Sequence, residues 1–103
     1  PALALREIGD GLETVPSREL RVGDVVHVGR GAALPCDGAL LDDEARVDEA
    51  LLTGESTPRL RLKGVTLLAG SLVHADRLRL RASAVGAATT LSQLARRVDA
   101  LRG

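Results

Sequence analysis

Leu78-Arg79-Leu80-Arg81-Ala82-Ser83-Ala84 alternates without a break, with apolar residues at even positions and polar ones at odd positions. Side chains of a strand point to opposite faces in turn, so this period gives one buried face and one wet face. Val25-Val26-His27-Val28 reads as a β-branched strand. Ala39-Leu40-Leu41, Ala45-Arg46-Val47, Leu60-Arg61-Leu62 and Val65 to Leu68 read as shorter ones. Ser71 to His74 is expected to pair with Val65 to Leu68. Ala2 to Ile8 and Leu12 to Val15 form a hairpin about Gly9-Asp10-Gly11, which Pro16-Ser17 breaks. Gly29-Arg30-Gly31, Asp42-Asp43-Glu44 and Lys63-Gly64 punctuate the rest. Leu34 to Gly38 is also read as a turn, because Asp-Gly is a strong turn dipeptide. Strands at intervals of roughly eight to twelve residues with glycine-rich turns mean a compact, mainly β fold.

The period changes near the end. Leu91, Leu94, Ala95, Val98 and Leu101 recur at helical spacing, and Thr90 with Gln93 reads as a capping box. An amphipathic helix over about 89–102 is therefore expected. The 103 residues suit one domain. With no Phe, Trp, Tyr or Met, the core must be Leu, Val and Ala, with Ile8 the one isoleucine. No aromatic side chain can stack on a base, and a formal charge of zero leaves no electrostatic footprint for nucleic acid or an anionic membrane. The single cysteine, Cys36, cannot form an internal disulfide. No signal peptide is visible, and no apolar run approaches the length of a membrane span.

The stretch from Val47 to Pro58 stands apart. An apolar run stops at a hydroxyl, a glycine, a carboxylate and a second hydroxyl. Thr53-Gly54 and Ser56-Thr57-Pro58 are turn chemistry. The expectation is that Leu51 and Leu52 are buried and anchor an exposed bend carrying Glu55. Asp48 and Glu49 admit two readings, surface charge at a turn, or else a polar buttress or a contact to a neighbouring domain. Cys36, His27 and His74 lack metal-ligand spacing and read as structural residues.

The string Asp48-Glu49-x-x-Leu52-Thr53-Gly54-Glu55-Ser56-x-Pro58 resembles the signature loop of the actuator domain of P-type ATPases. Further landmarks resemble that family in the same order: Leu20 to Val26, Leu34 to Gly38, Leu68-Ala69-Gly70-Ser71, and Val85-Gly86 with Thr89-Thr90-Leu91. Three positions depart from its pattern: Cys36 replaces a small residue, Lys63-Gly64 replaces Gly-Asp, and Ala88 replaces an acidic residue.

The resemblance implies a distorted jelly-roll or β-barrel-like domain spanning 1–103, with a C-terminal amphipathic helix and neighbouring chain ends. It implies that Glu55 activates the water that hydrolyses an aspartyl phosphate on another domain. Thr53, Gly54 and Ser56 would shape the loop and let it approach the phosphate. The implied partners are the phosphorylation and nucleotide-binding domains and the membrane helices of the same polypeptide, with no nucleic acid and no direct small-molecule substrate. ATP and Mg2+ would act in those other domains, with no cofactor or metal in this one. The compact size, without long insertions, is similar to the heavy-metal branch, which implies a cytosolic piece of an integral membrane protein of the bacterial inner membrane, exporting copper, with zinc or cadmium as the open alternative cargo. With no Asp-Lys-Thr-Gly motif, the chain is not expected to hydrolyse ATP alone. The rival reading is a small non-enzymatic β-barrel used as a binding or assembly module.

Overall fold

The computed structural model describes residues 2–102. The hairpin forms as expected: β1 (Leu3–Ile8) and β2 (Gly11–Pro16) pair antiparallel from Leu3 opposite Pro16 to Ile8 opposite Gly11. Then come β3 (Val25–Gly29), β4 (Asp37–Leu40), β5 (Glu44–Asp48), the one-turn helix α1 (Ala50–Thr53), β6 (Arg59–Leu62), β7 (Thr66–Leu67), β8 (Leu72–Val73) and β9 (Arg77–Ala84). Helix α2 (Thr90–Arg102) closes the chain. A six-stranded sheet runs β2-β1-β3-β9-β4-β7, and a three-stranded sheet runs β6-β5-β8.

The alternation of β9 sets the layering. Leu78, Leu80 and Ala82 are buried, together with Val26 and Val28 of β3 and Leu40 of β4. Ala45, Val47 and Val73 of the smaller sheet join the same cluster. Each fully buried leucine contributes about 1.5–3 kcal/mol. The other face of the larger sheet mixes charged side chains with Leu3, Leu5 and Leu12. There the Glu7 carboxylate accepts from Arg79 Nε at 2.8 Å and lies 2.7 Å from His27 Nε2. The Arg79 and His27 hydrogen bonds hold the Glu7 carboxyl below the usual carboxylate range.

Three expectations are corrected here. First, Asp37-Gly38 is no turn but the start of β4, with a register shift against β9 between the two residues. A Cβ on Gly38 would lie 2.5 Å from the Arg81 carbonyl oxygen, so the glycine serves close strand approach instead of a bend. Asp37 is 4% exposed, and its carboxylate accepts from Ala69 N (2.8 Å), Thr90 N (2.9 Å) and Thr90 Oγ1 (3.3 Å). Second, β7 and β8 do not pair with each other. β7 pairs with β4 and β8 with β5, so the chain changes sheets between them.

Third, the helix cap is Thr89, one residue earlier than expected. Its Oγ1 accepts from Ser92 N at 3.2 Å, while Thr90 gives its N–H and hydroxyl to Asp37. The apolar face of α2 exists but is not covered, with Leu94 41% and Val98 50% exposed. The side chain of Leu101, and the proximity of the two chain ends, lie outside the described residues.

Asp37→Ala is expected to leave Ala69 N and Thr90 N without an acceptor and to cost about 2–4 kcal/mol. A urea unfolding midpoint equal to that of the parent chain would contradict this. Cys36 is fully buried, and burial pushes its thiol up to about 11. A neutral buried thiol is a poor nucleophile, so the native chain at pH 8 is expected to resist alkylation until urea unfolds it. Prompt labelling of the folded chain would count against that environment.

Candidate functional site

The loop is built from the end of β5. Asp48 Oδ1 accepts from Ala50 N at 2.8 Å, which starts α1. The Glu49 carbonyl then accepts from Leu52 N and Thr53 N, both at 2.9 Å, and from Thr53 Oγ1 at 3.1 Å. The Glu49 side chain is 11% exposed and pairs with the Arg61 guanidinium of β6. Within the domain, Asp48 and Glu49 therefore form a polar buttress instead of free surface charge.

Gly54 ends the helical turn in the left-handed conformation, φ 79°, with its N–H donating to the Ala50 carbonyl at 2.7 Å. That reverses the chain and turns the next residue outward. Glu55 N donates to Thr53 Oγ1 at 3.2 Å, so Thr53 ties the loop on both sides. The Glu55 side chain is 66% exposed and its Oε2 accepts from Arg59 Nη2 at 2.9 Å. Ser56 is also exposed, and β6 begins just beyond Pro58.

The expected leucine anchor is not there. Leu51 is 66% exposed and Leu52 is only partly covered. With helical geometry the two leucines point in different directions, and α1 buries neither. Leu51 instead leans over Gly70 beside Leu91 of α2. A Cβ on Gly70 would lie 2.9 Å from Leu51 Cδ2 and 3.1 Å from Leu91 Cδ2.

The structure thus brings Thr53, Gly54, Glu55 and Ser56 together on one exposed tip. Arg59 and Arg61, which sequence reasoning missed, supply its cations. Their signal was present: both sit at alternate positions of one strand, immediately after the loop.

A carboxylate on a protruding tip cannot enclose a substrate by itself. It can be inserted into a site that another domain provides. Among the described residues, no group of three His, Cys, Asp or Glu side chains could hold a metal ion.

A domain of this topology with a Thr-Gly-Glu-Ser tip defines a class, and comparison with known proteins gives the same answer. The model of the P-type ATPase actuator domain matches residues 1–99. The chain is 45% identical over 96 residues to a probable copper-exporting P-type ATPase V of Mycobacterium tuberculosis, covering 91% of this chain and 12% of that protein. It is 37% identical over 97 residues to a probable copper-exporting P-type ATPase of Archaeoglobus fulgidus, covering 93% of this chain and 12% of the relative. The crystal structure of a zinc-transporting PIB-type ATPase in the E2.Pi state superposes with a TM-score of 0.93 at 33% identity, over 97% of this chain and 17% of that one. The chain belongs to the P-type ATPase actuator-domain family.

Arg61→Met tests the buttress. It removes the partner of the nearly buried Glu49 carboxylate and is expected to cost about 1–3 kcal/mol. Adding Glu49→Gln should recover part of that loss in urea unfolding. Strictly additive losses would show that the pair does not hold the loop.

Proposed function

We propose that this chain is the actuator domain of a heavy-metal pump and that Glu55 promotes hydrolysis of an aspartyl phosphate carried by another domain of the same polypeptide. The observation that carries this reading is the exposed Glu55 carboxylate on a loop fixed by Thr53, Gly54 and the Asp48–Glu49 buttress. Hydrolysis needs a water held in line with the phosphorus and relieved of its proton. A carboxylate can orient that water and accept the proton as the new P–O bond forms. The bond from phosphorus to the aspartyl oxygen breaks, releasing inorganic phosphate and a free aspartate. Gly54 presents no side chain, so the backbone can come close to an anionic group. Thr53 keeps the turn, and Ser56 stands exposed beside Glu55, with a hydroxyl able to donate to phosphate oxygens.

ATP and Mg2+ belong to the other domains in this reading, and no resident metal or cofactor is assigned here. Its partners are the phosphorylation and nucleotide-binding domains and the membrane helices of the parent chain. A cytosolic position beside a bacterial inner membrane follows from the same reading. Copper export is favoured by the names of the two relatives, while the structural neighbour is zinc-transporting, so the cargo is assigned to copper on sequence similarity.

Glu55→Gln keeps the size of the side chain and removes the base. In the full-length pump, phosphorylation from ATP should survive. Decay of the phosphoenzyme after a chase should slow by about 10²- to 10⁴-fold, or roughly 3–5 kcal/mol of barrier. Decay at the parent rate would make Glu55 a turn residue and favour a non-enzymatic β-barrel module.

A further inference from the structure

Arg59 stands where the chain leaves the Glu55 tip and enters β6. Its backbone is rooted in the smaller sheet, paired opposite Val47. Pro58 precedes it and fixes its own φ, which narrows the route from tip to sheet. From this base the guanidinium reaches back four residues, and Nη2 donates to Glu55 Oε2 at 2.9 Å. The two side chains are 49% and 66% exposed. An ion pair this open adds little to the stability of a domain.

Arg61, two residues on, has the structural role: it neutralises the nearly buried Glu49. Arg59 instead faces the carboxylate that has chemistry to do. A glutamate brought against a phosphoryl group meets negative charge at short range, and exclusion of water at a domain contact strengthens that repulsion. A guanidinium carried in with the carboxylate offsets it. Arginine stays protonated throughout, and its fork has five N–H donors, of which Nη2 is engaged with Glu55.

Resting on the reading of Glu55 given above, we infer that Arg59 is a positioning residue for hydrolysis of the aspartyl phosphate. It holds the Glu55 carboxylate toward the attacking water and cancels the repulsion between that carboxylate and the phosphoryl group. The proton from water still goes to Glu55. Arg59 neither gives nor takes one.

The test uses the full-length pump, phosphorylated from labelled ATP and then chased. Arg59→Gln should leave phosphorylation from ATP intact, with a phosphoenzyme level no lower than the parent's, and slow its decay about tenfold, the scale of one charge-assisted hydrogen bond. Arg59→Lys should restore most of the rate, since a cation remains. In a Glu55→Gln background, Arg59→Gln should add no further slowing, because the carboxylate it serves is gone. Equal slowing by Lys and Gln, or an undiminished effect of Arg59→Gln in the Glu55→Gln background, would overturn the inference. So would parent-rate decay in Arg59→Gln alongside slow decay in Glu55→Gln, which would leave the role of Glu55 standing. Parent-rate decay in Glu55→Gln itself would instead remove the underlying reading.

Discussion

One buried carboxylate joins three separated parts of this molecule. Asp37 sits at the register shift where β4 meets β9, and it accepts hydrogen bonds from Ala69, after β7, and from Thr90, at the head of α2. A charge at 4% exposure is costly unless it is well hydrogen-bonded, and three donors meet that need. The arrangement fixes the direction in which the helix leaves the sheet. It also fixes the segment around Gly70, over which Leu51 of the functional loop leans. The loop, the closing helix and the central sheet are thus placed relative to one another by a polar contact set in an aliphatic core.

The loop itself is held by polar geometry more than by burial. Helix α1 buries none of its residues and is a single turn, too short to be stable by its own hydrogen bonds. Asp48, the Glu49 carbonyl, the Thr53 hydroxyl and the Glu49–Arg61 pair close it off at both ends. The left-handed Gly54 then turns Glu55 outward. The role proposed for Glu55, at a site on another domain, needs both properties, exposure and a fixed base. Anchoring the residues on either side, and leaving the tip free, provides them together.

Apolar surface is left open on the same molecule. Leu60 and Leu62 on β6 are 44% and 59% exposed, and Leu94 and Val98 on α2 are also open. The chain spans 12% of the length of the curated relatives described above. Open apolar side chains on β6, just after the Glu55 tip, and on the closing helix suit the docking of the domain that the proposed function requires.

Local chemistry was enough for much of this. The alternation from Leu78 to Ala84, the β-branched run at Val25 and the glycine turn after Ile8 each specify an element by period or φ alone, and each formed close to where the pattern put it, the turn being Gly9-Asp10 with Gly11 opening β2. Helix α2 and the exposure of Glu55 were legible for the same reason. The sequence by itself could not tell that Asp37-Gly38 is a strand. Its decisive partners lie 32 and 53 residues away, and only packing brings them together. Long-range pairing likewise sent β8 to β5 instead of β7, and the cap is Thr89 instead of Thr90, which lies inside the first turn with its N–H and hydroxyl donating to Asp37. Leu51 stayed exposed because hydropathy states that a side chain favours burial, not whether the fold offers a surface to bury it against. The pairing of Glu55 with Arg59 and of Glu49 with Arg61 was decided the same way, by the strand that returns beside the loop.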